Sequence, residues 1–216
     1  MMGSIAPVES VRTALVALHD RAQSRAVVAR LTADGVRVAV LGDPIDGAIL
    51  SVDPGAVIAS VERVEVELGS LSILVCDAVP PESARFIDTP PTEWFEAVRS
   101  SMFVPFAVIR AAVPSLRRAG DSRILLVGTG WGATQGRDAT AAAAAQGGLV
   151  ALMKTLARDL GPDGIIVNEI ALPAQACDQP AIPAALASAV SYLAGPHGSA
   201  MVGQILTLGR GGELRP

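Results

Sequence analysis

Tyrosine occurs once in this chain, at Tyr192, lysine once, at Lys154, and histidine twice, at His19 and His197. Few groups are therefore able to hold or pass a proton near neutral pH, and no His/Cys cluster has the spacing of a metal site. The two cysteines, Cys76 and Cys177, lie far apart without a partner spacing. They read as ordinary buried thiols and exclude a disulfide framework. No apolar run approaches the roughly 18 residues of a membrane span. The longest smooth stretch, Ala139 to Leu152, is mostly alanine, is interrupted by Gln146, Gly147 and Gly148, and reads as a packed helix. A basic stripe is also missing: Lys and Arg number 17 against 21 Asp and Glu, a mild net charge of −4 spread along the chain. That excludes an electrostatic footprint for nucleic acid. Met1 to Glu9 shows no basic segment followed by an apolar one, so a soluble cytoplasmic chain is expected.

What is present is apolar patterning. Half of the 216 residues are hydrophobic, enough for one domain, residues 1–216, with a sizeable core. Short apolar runs at Thr13–Leu18, Arg37–Leu41, Ala48–Val52, Leu71–Cys76, Arg123–Val127, Ile165–Ile170 and Gln204–Leu208 read as strands. Longer segments at Arg21–Asp34, Gly55–Leu68, Pro91–Ala119, Ala139–Leu160 and Ile182–Ala194 read as helices. Continuous apolar strands alternating with helices predict a doubly wound parallel α/β sheet covered on both faces, with its ligand crevice at the carboxyl ends of the strands.

Several phrases, in order, carry a family resemblance. They are Val36–Leu41, Leu71–Val75 followed by Cys76-Asp77-Ala78-Val79, Trp94 opening a long helix that reaches Pro114, Arg123–Val127, Gly148–Leu160, Gly164–Asn168 and Val202–Leu206. Together they resemble the short-chain dehydrogenase/reductase (SDR) superfamily along nearly the whole chain. The resemblance implies a single Rossmann-like domain, here shortened relative to the family.

The positions where that family does its chemistry differ. Its phosphate-cradling TGxxxGxG turn falls on Ala17-Leu18-His19-Asp20-Arg21-Ala22-Gln23-Ser24, without a glycine and with an added negative charge at Asp20. After Leu41 the chain runs Gly42-Asp43-Pro44-Ile45-Asp46-Gly47 toward the next strand, leaving no room for the helix that walls the family's adenine pocket. The family's tyrosine and lysine, one turn apart on one helix face, fall on Ala142 and Gln146; its serine falls on Thr129, thirteen residues before Ala142, and its helix asparagine on Ser101. Alanine transfers no proton, and Lys154 sits two turns too late. The absence of both tyrosine and arginine from this constellation also excludes a resemblance to halohydrin dehalogenases. Ala171-Leu172-Pro173 replaces the family's Pro-Gly and leaves little chain for a substrate lid, and the closing Asp-Gly-Gly reads Gly209-Arg210-Gly211-Gly212. No catalytic residue, no bound cofactor and no metal is expected.

Other polar residues take plainer readings. Glu62, Glu65 and Glu67 read as the solvated face of a helix, Asp53 and Asp77 as caps or turns at strand ends, Arg21 as a surface residue, and Trp94 and Trp131 as packing anchors. His19 is a candidate for lining a repurposed pocket. The two long helices keep their apolar surfaces and, in the resembled family, commonly pack between subunits. Val150, Met153 and Ala157 are the expected contacts.

The expected function is therefore a non-catalytic, SDR-like pseudoenzyme subunit. It would pair with an active SDR, or self-associate through the long helices, in an NAD(P)-dependent oxidoreductase acting on a secondary alcohol or ketone, such as a β-hydroxy or β-keto acyl thioester of secondary metabolism. In logic this resembles the inactive partners of heteromeric ketoreductases in aminocoumarin assembly. The alternatives are non-redox chemistry (a cyclase, dehydratase or isomerase) in the former cofactor crevice, using Thr129, Asp77 and His19, or a ligand-binding or scaffold protein.

Overall fold

The computed structural model describes residues 11–41, 54–129, 138–173, 176 and 179–209. Among these residues six strands and five α-helices alternate: β1 (Thr13–Ala17), α1 (Arg21–Ala33), β2 (Arg37–Val40), α2 (Pro54–Leu68), β3 (Ile73–Asp77), α3 (Pro91–Ala119), β4 (Ser122–Thr129), α4 (Thr140–Asp159), β5 (Ile165–Leu172), α5 (Ile182–Ala194) and β6 (Ile205–Thr207). Every strand pairing is parallel, in the order β2-β1-β3-β4-β5-β6. Strand direction along the sheet therefore reverses its walk at β1/β3, which opens a crevice at their carboxyl ends.

Successive strand side chains point to opposite faces, and both faces here are apolar. Leu15, Ala17, Leu74, Cys76, Ile124 and Leu126 face one core, which α2, α3 and α4 cover. Ala14, Val16, Ile73, Val75, Leu125 and Val127 face the other, under α1 and α5. That is why the sequence shows continuous apolar runs and no in/out alternation. The doubly wound architecture is as the pattern predicts, and the burial of the Cys76 thiol raises its pKa far above the ordinary range.

The ends of elements differ in instructive ways. β3 begins at Ile73, two residues later than the apolar run, and ends on Asp77. β4 extends from Ser122 to Thr129 and β5 to Leu172, because ladder bonds pair Ser122 with Ile165 and Thr129 with Leu172 whatever the side chains are. The expected strand Ala48–Val52, the loop that precedes it, and Asp53, Trp131 and Cys177 lie outside the described residues.

The expected contact positions on α4 need correction. Met153 and Ala157 are 0% and 7% exposed and belong to the core of this chain, while Val150 is half-buried. The helix turns its inward stripe, Leu149, Met153 and Ala157, onto the sheet and α3. Leu152 and Leu156, one position away on the wheel, instead face an open apolar groove shared with Phe106, Ile109, Arg110 and Val113 of α3.

Candidate functional site

The sheet gathers three polar groups at its carboxyl edge. Thr129 ends β4, Gln146 lies on the second turn of α4, and Glu169 sits within β5. The Gln146 Oε1 accepts from the Thr129 backbone N–H at 3.1 Å and from the Thr129 hydroxyl at 3.4 Å, while its Nε2 donates to Glu169 Oε1 at 2.6 Å. Gln146 is 4% and Glu169 0% exposed. Gly128 makes room for them: a Cβ there would stand 2.8 Å from both Gln146 Oε1 and Glu169 Oε1.

The structure brings Thr129 and Gln146, the residues at the family's serine and lysine positions, into contact and adds Glu169, which the sequence reading did not single out. Its signal was available as the single carboxylate in the largely apolar run Ile165–Leu172, next to Asn168. An amide carries no titrating proton, so the connection from Thr129 to Glu169 fixes geometry and does not relay a charge. Ala142 is half-buried on the preceding turn of α4, and Ser101 on α3 is 4% exposed, its hydroxyl without a hydrogen-bond partner.

A second pair lies at the β1/β3 crevice. The Asp77 carboxylate, 2% exposed, accepts the His19 backbone N–H at 3.0 Å through Oδ2, and the same oxygen contacts His19 Nδ1. Asp77, expected in a cap or turn role, instead ties the end of β3 to the residue that follows β1. That hydrogen bond, reinforced by the charge of Asp77 and opposed by burial, raises the His19 pKa above its usual 6.5. A folded-state pKa above the unfolded one stabilises the fold fully below 6.5, and this contribution disappears as pH rises through the raised value. The thermal midpoint of the wild type should therefore exceed that of His19→Gln most clearly below that unfolded value, with the gap closing on the alkaline side. A gap independent of pH would mean that the pair does not titrate.

The resemblance implies a nicotinamide dinucleotide, and the turn that would receive its pyrophosphate tests the fit. Leu18, in place of the first glycine, is 0% exposed and packed in the core. Asp20 is the N-cap of α1, its Oδ1 accepting the Gln23 N–H at 2.8 Å. A phosphate at a helix start needs such free amides and a positive potential. Here a carboxylate already holds one amide and repels an anion. The residues of this turn do not fit a pyrophosphate bound in that mode.

The remaining expectations resolve simply. Arg21 is exposed, and Glu62 and Glu67 are solvated, whereas Glu65 is half-buried and pairs with Arg118. Lys154 donates to the Gly203 carbonyl at 2.5 Å and so anchors the approach to β6. Trp94 is half-buried and donates its indole N–H to Thr140 Oγ1 at 2.9 Å, linking the first turns of α3 and α4.

Comparison with known proteins agrees with this architecture. The sequence pattern of the family described as enoyl-(acyl carrier protein) reductase matches residues 14–177. The 3-oxoacyl-[acyl-carrier-protein] reductase FabG of Salmonella typhimurium is 26% identical over 235 aligned residues, covering 93% of this chain and 96% of that protein. The (2S)-[(R)-hydroxy(phenyl)methyl]succinyl-CoA dehydrogenase subunit BbsC of Thauera aromatica is 27% identical, covering 90% and 92%. A short-chain oxidoreductase of Pseudomonas aeruginosa PAO1 described as containing an atypical catalytic center superposes with a TM-score of 0.82 at 20% identity, over 95% of this chain and 98% of that one, a likeness of fold. With the sheet order, the ordered sequence phrases and a family match over most of its length, the chain belongs to the short-chain dehydrogenase/reductase superfamily.

Proposed function

We propose that this chain is a non-catalytic SDR subunit that assembles with an active SDR. The assembly would be an NAD(P)-dependent oxidoreductase acting on a secondary alcohol or ketone, with a β-hydroxy or β-keto acyl thioester of secondary metabolism as the substrate class. The observation that carries the reading is the closed Thr129–Gln146–Glu169 network beside Ala142. Where the family places a proton donor and the cation that tunes it, this chain has a methyl group and an amide whose hydrogen bonds are spent on its neighbours. The capped start of α1 supports the same conclusion for the cofactor. A relative of similar length being named as a dehydrogenase subunit is consistent with a partnered role.

The partner surface is assigned to the groove between α3 and α4, about 230 Å³ in volume and walled by Phe106, Ile109, Val113, Leu152 and Leu156. Phe106 is 49% exposed in the single chain, a cost that burial against a second apolar helix pair removes. Co-expression with an SDR encoded nearby should yield a complex that reduces a ketone, while the isolated chain binds neither NADH nor NADPH by fluorescence titration. The paired substitution Leu152→Glu/Leu156→Glu should weaken that complex by about thirtyfold or more. Turnover by the isolated chain, or no complex at all, would sink the proposal.

The His19–Asp77 pair favours one second reading, non-redox acid/base chemistry in the β1/β3 crevice. Under it, the isolated chain would turn over a substrate and His19→Gln would abolish that turnover while leaving assembly intact.

A further inference from the structure

We propose that a groove just beyond the carboxyl end of β3 binds small amphipathic cations, a protonated amine carried on an apolar or aromatic body. The groove, about 390 Å³, lies between the segment that follows β3, the first turns of α3 and the start of α4. That volume is in the range of small-molecule sites. Val79, Pro80, Pro81, Ala97 and Ala141 make its walls apolar.

Two carboxylates, the hydroxyls of Thr89, Ser100 and Ser101 and the Trp94 indole interrupt those walls; Thr89 and Ser100 already donate to Arg85 and Glu96. Glu82 and Glu93 stand at the groove, both exposed and neither ion-paired among the described residues. No lysine, arginine or histidine lines it among the described residues. Ser101 lines it too, 4% exposed, with a hydroxyl that has no partner. A buried hydroxyl left unpaired is costly, and a ligand or a water that completes it removes the cost. One turn further along α3, Pro105 lacks an N–H, so the Ser101 carbonyl is also without its helical donor. A ligand rich in N–H donors suits this set, and a carboxylate or phosphate does not.

The aromatic wall points to the same class. Trp94 lines the groove with its ring held by the hydrogen bond to Thr140 and by an edge-on contact with Phe95, ring centroids 5.1 Å apart at 86°. A fixed indole beside two uncompensated carboxylates is an arrangement that attracts an organic cation through both its ring face and its surrounding charge. The backbone bond from the Ala84 N–H to the Asp138 carbonyl, 2.8 Å, ties the loop to the approach of α4 and keeps the walls in place. The inference does not rest on the subunit reading: of these residues only Ser101, at the family's asparagine position, belongs to the site behind that reading.

Isothermal titration of the intact chain with 2-phenylethylamine, 2-phenylethanol and 3-phenylpropionate tests it. The three share an aromatic body and differ in charge. The amine should bind saturably in the millimolar range or tighter, roughly tenfold better than the alcohol, with the acid weakest, and its binding should fall with added salt. Glu82→Gln/Glu93→Gln should erase the amine's advantage, and Ala97→Leu should abolish binding by filling the groove, each with an unchanged circular dichroism spectrum. Equal binding of amine and alcohol, no saturable heat from the amine, or amine binding unaffected in both variants would overturn the assignment.

Discussion

Replacing Gln146 by leucine should destabilise the chain by about 3 kcal/mol, a fall of roughly 10 °C in thermal midpoint. The reason is the neighbourhood. Glu169, within β5, is 0% exposed and takes a 2.6 Å hydrogen bond from the Gln146 amide, while the Thr129 N–H donates to the same Gln146 side chain. Leucine has a similar volume but no polar atom, so it removes a donor from a carboxyl oxygen that water does not reach and an acceptor from a backbone amide. Removing the second member should then help: Gln146→Leu/Glu169→Leu should recover more than half of the loss, since an apolar pair leaves no buried carboxyl group to satisfy. Urea unfolding of the wild type, the two single variants and the double variant forms a cycle that isolates the pair. A Gln146→Leu chain as stable as wild type would show that the amide does not hold Glu169 in place, and the case for a sealed site would go with it.

The second large effect concerns a turn far from that network. Gly164 follows α4 and precedes β5 with φ +76°, and a Cβ built on it would overlap the carbonyl oxygen of Gly120 at the end of α3. Gly164→Ala should cost about 3 kcal/mol or more, because left-handed backbone strain and collision with an immovable main-chain atom add. Gly35→Ala and Gly69→Ala supply the control. Both have similar φ, +81° and +79°, but nothing lies within 4 Å of their added methyl groups. They should cost only about 1 kcal/mol each. Differential scanning calorimetry separates the two cases, and equal losses at the three positions would remove the clash from the explanation.

Fold and site were legible in the sequence to different degrees. α3 and α5 are delimited residue for residue as expected, Pro91–Ala119 and Ile182–Ala194, because proline opens each within its first two positions and glycine follows each. Strand ends were harder: nothing in Ser122 or Thr129 announces that its backbone joins the ladder to β5. At the site, the family register assigned positions to Thr129 and Gln146 one by one, but their contact across β4 and α4 was visible only in the structure. The His19–Asp77 pair was not legible either. Its members are 58 residues apart and meet only because β1 and β3 are neighbours. The contact face of α4 was misjudged for a related reason: with alanine, leucine and methionine around most of the helix, composition does not mark which stripe the sheet covers, and Met153 and Ala157 face inward.

The pairing pattern of the sheet has a consequence for how the chain comes together. Its shortest strand-to-strand link in sequence joins Thr13 to Arg37, and the pairing of β1 with β3 joins Ala14 to Ile73, so no hairpin can form first. Each rung waits until a long loop has closed, at an entropic cost met before any reward. During synthesis β1 therefore emerges well ahead of both its neighbours, and its β3-facing edge has to stay unpaired until the polypeptide beyond β3 has left the ribosome.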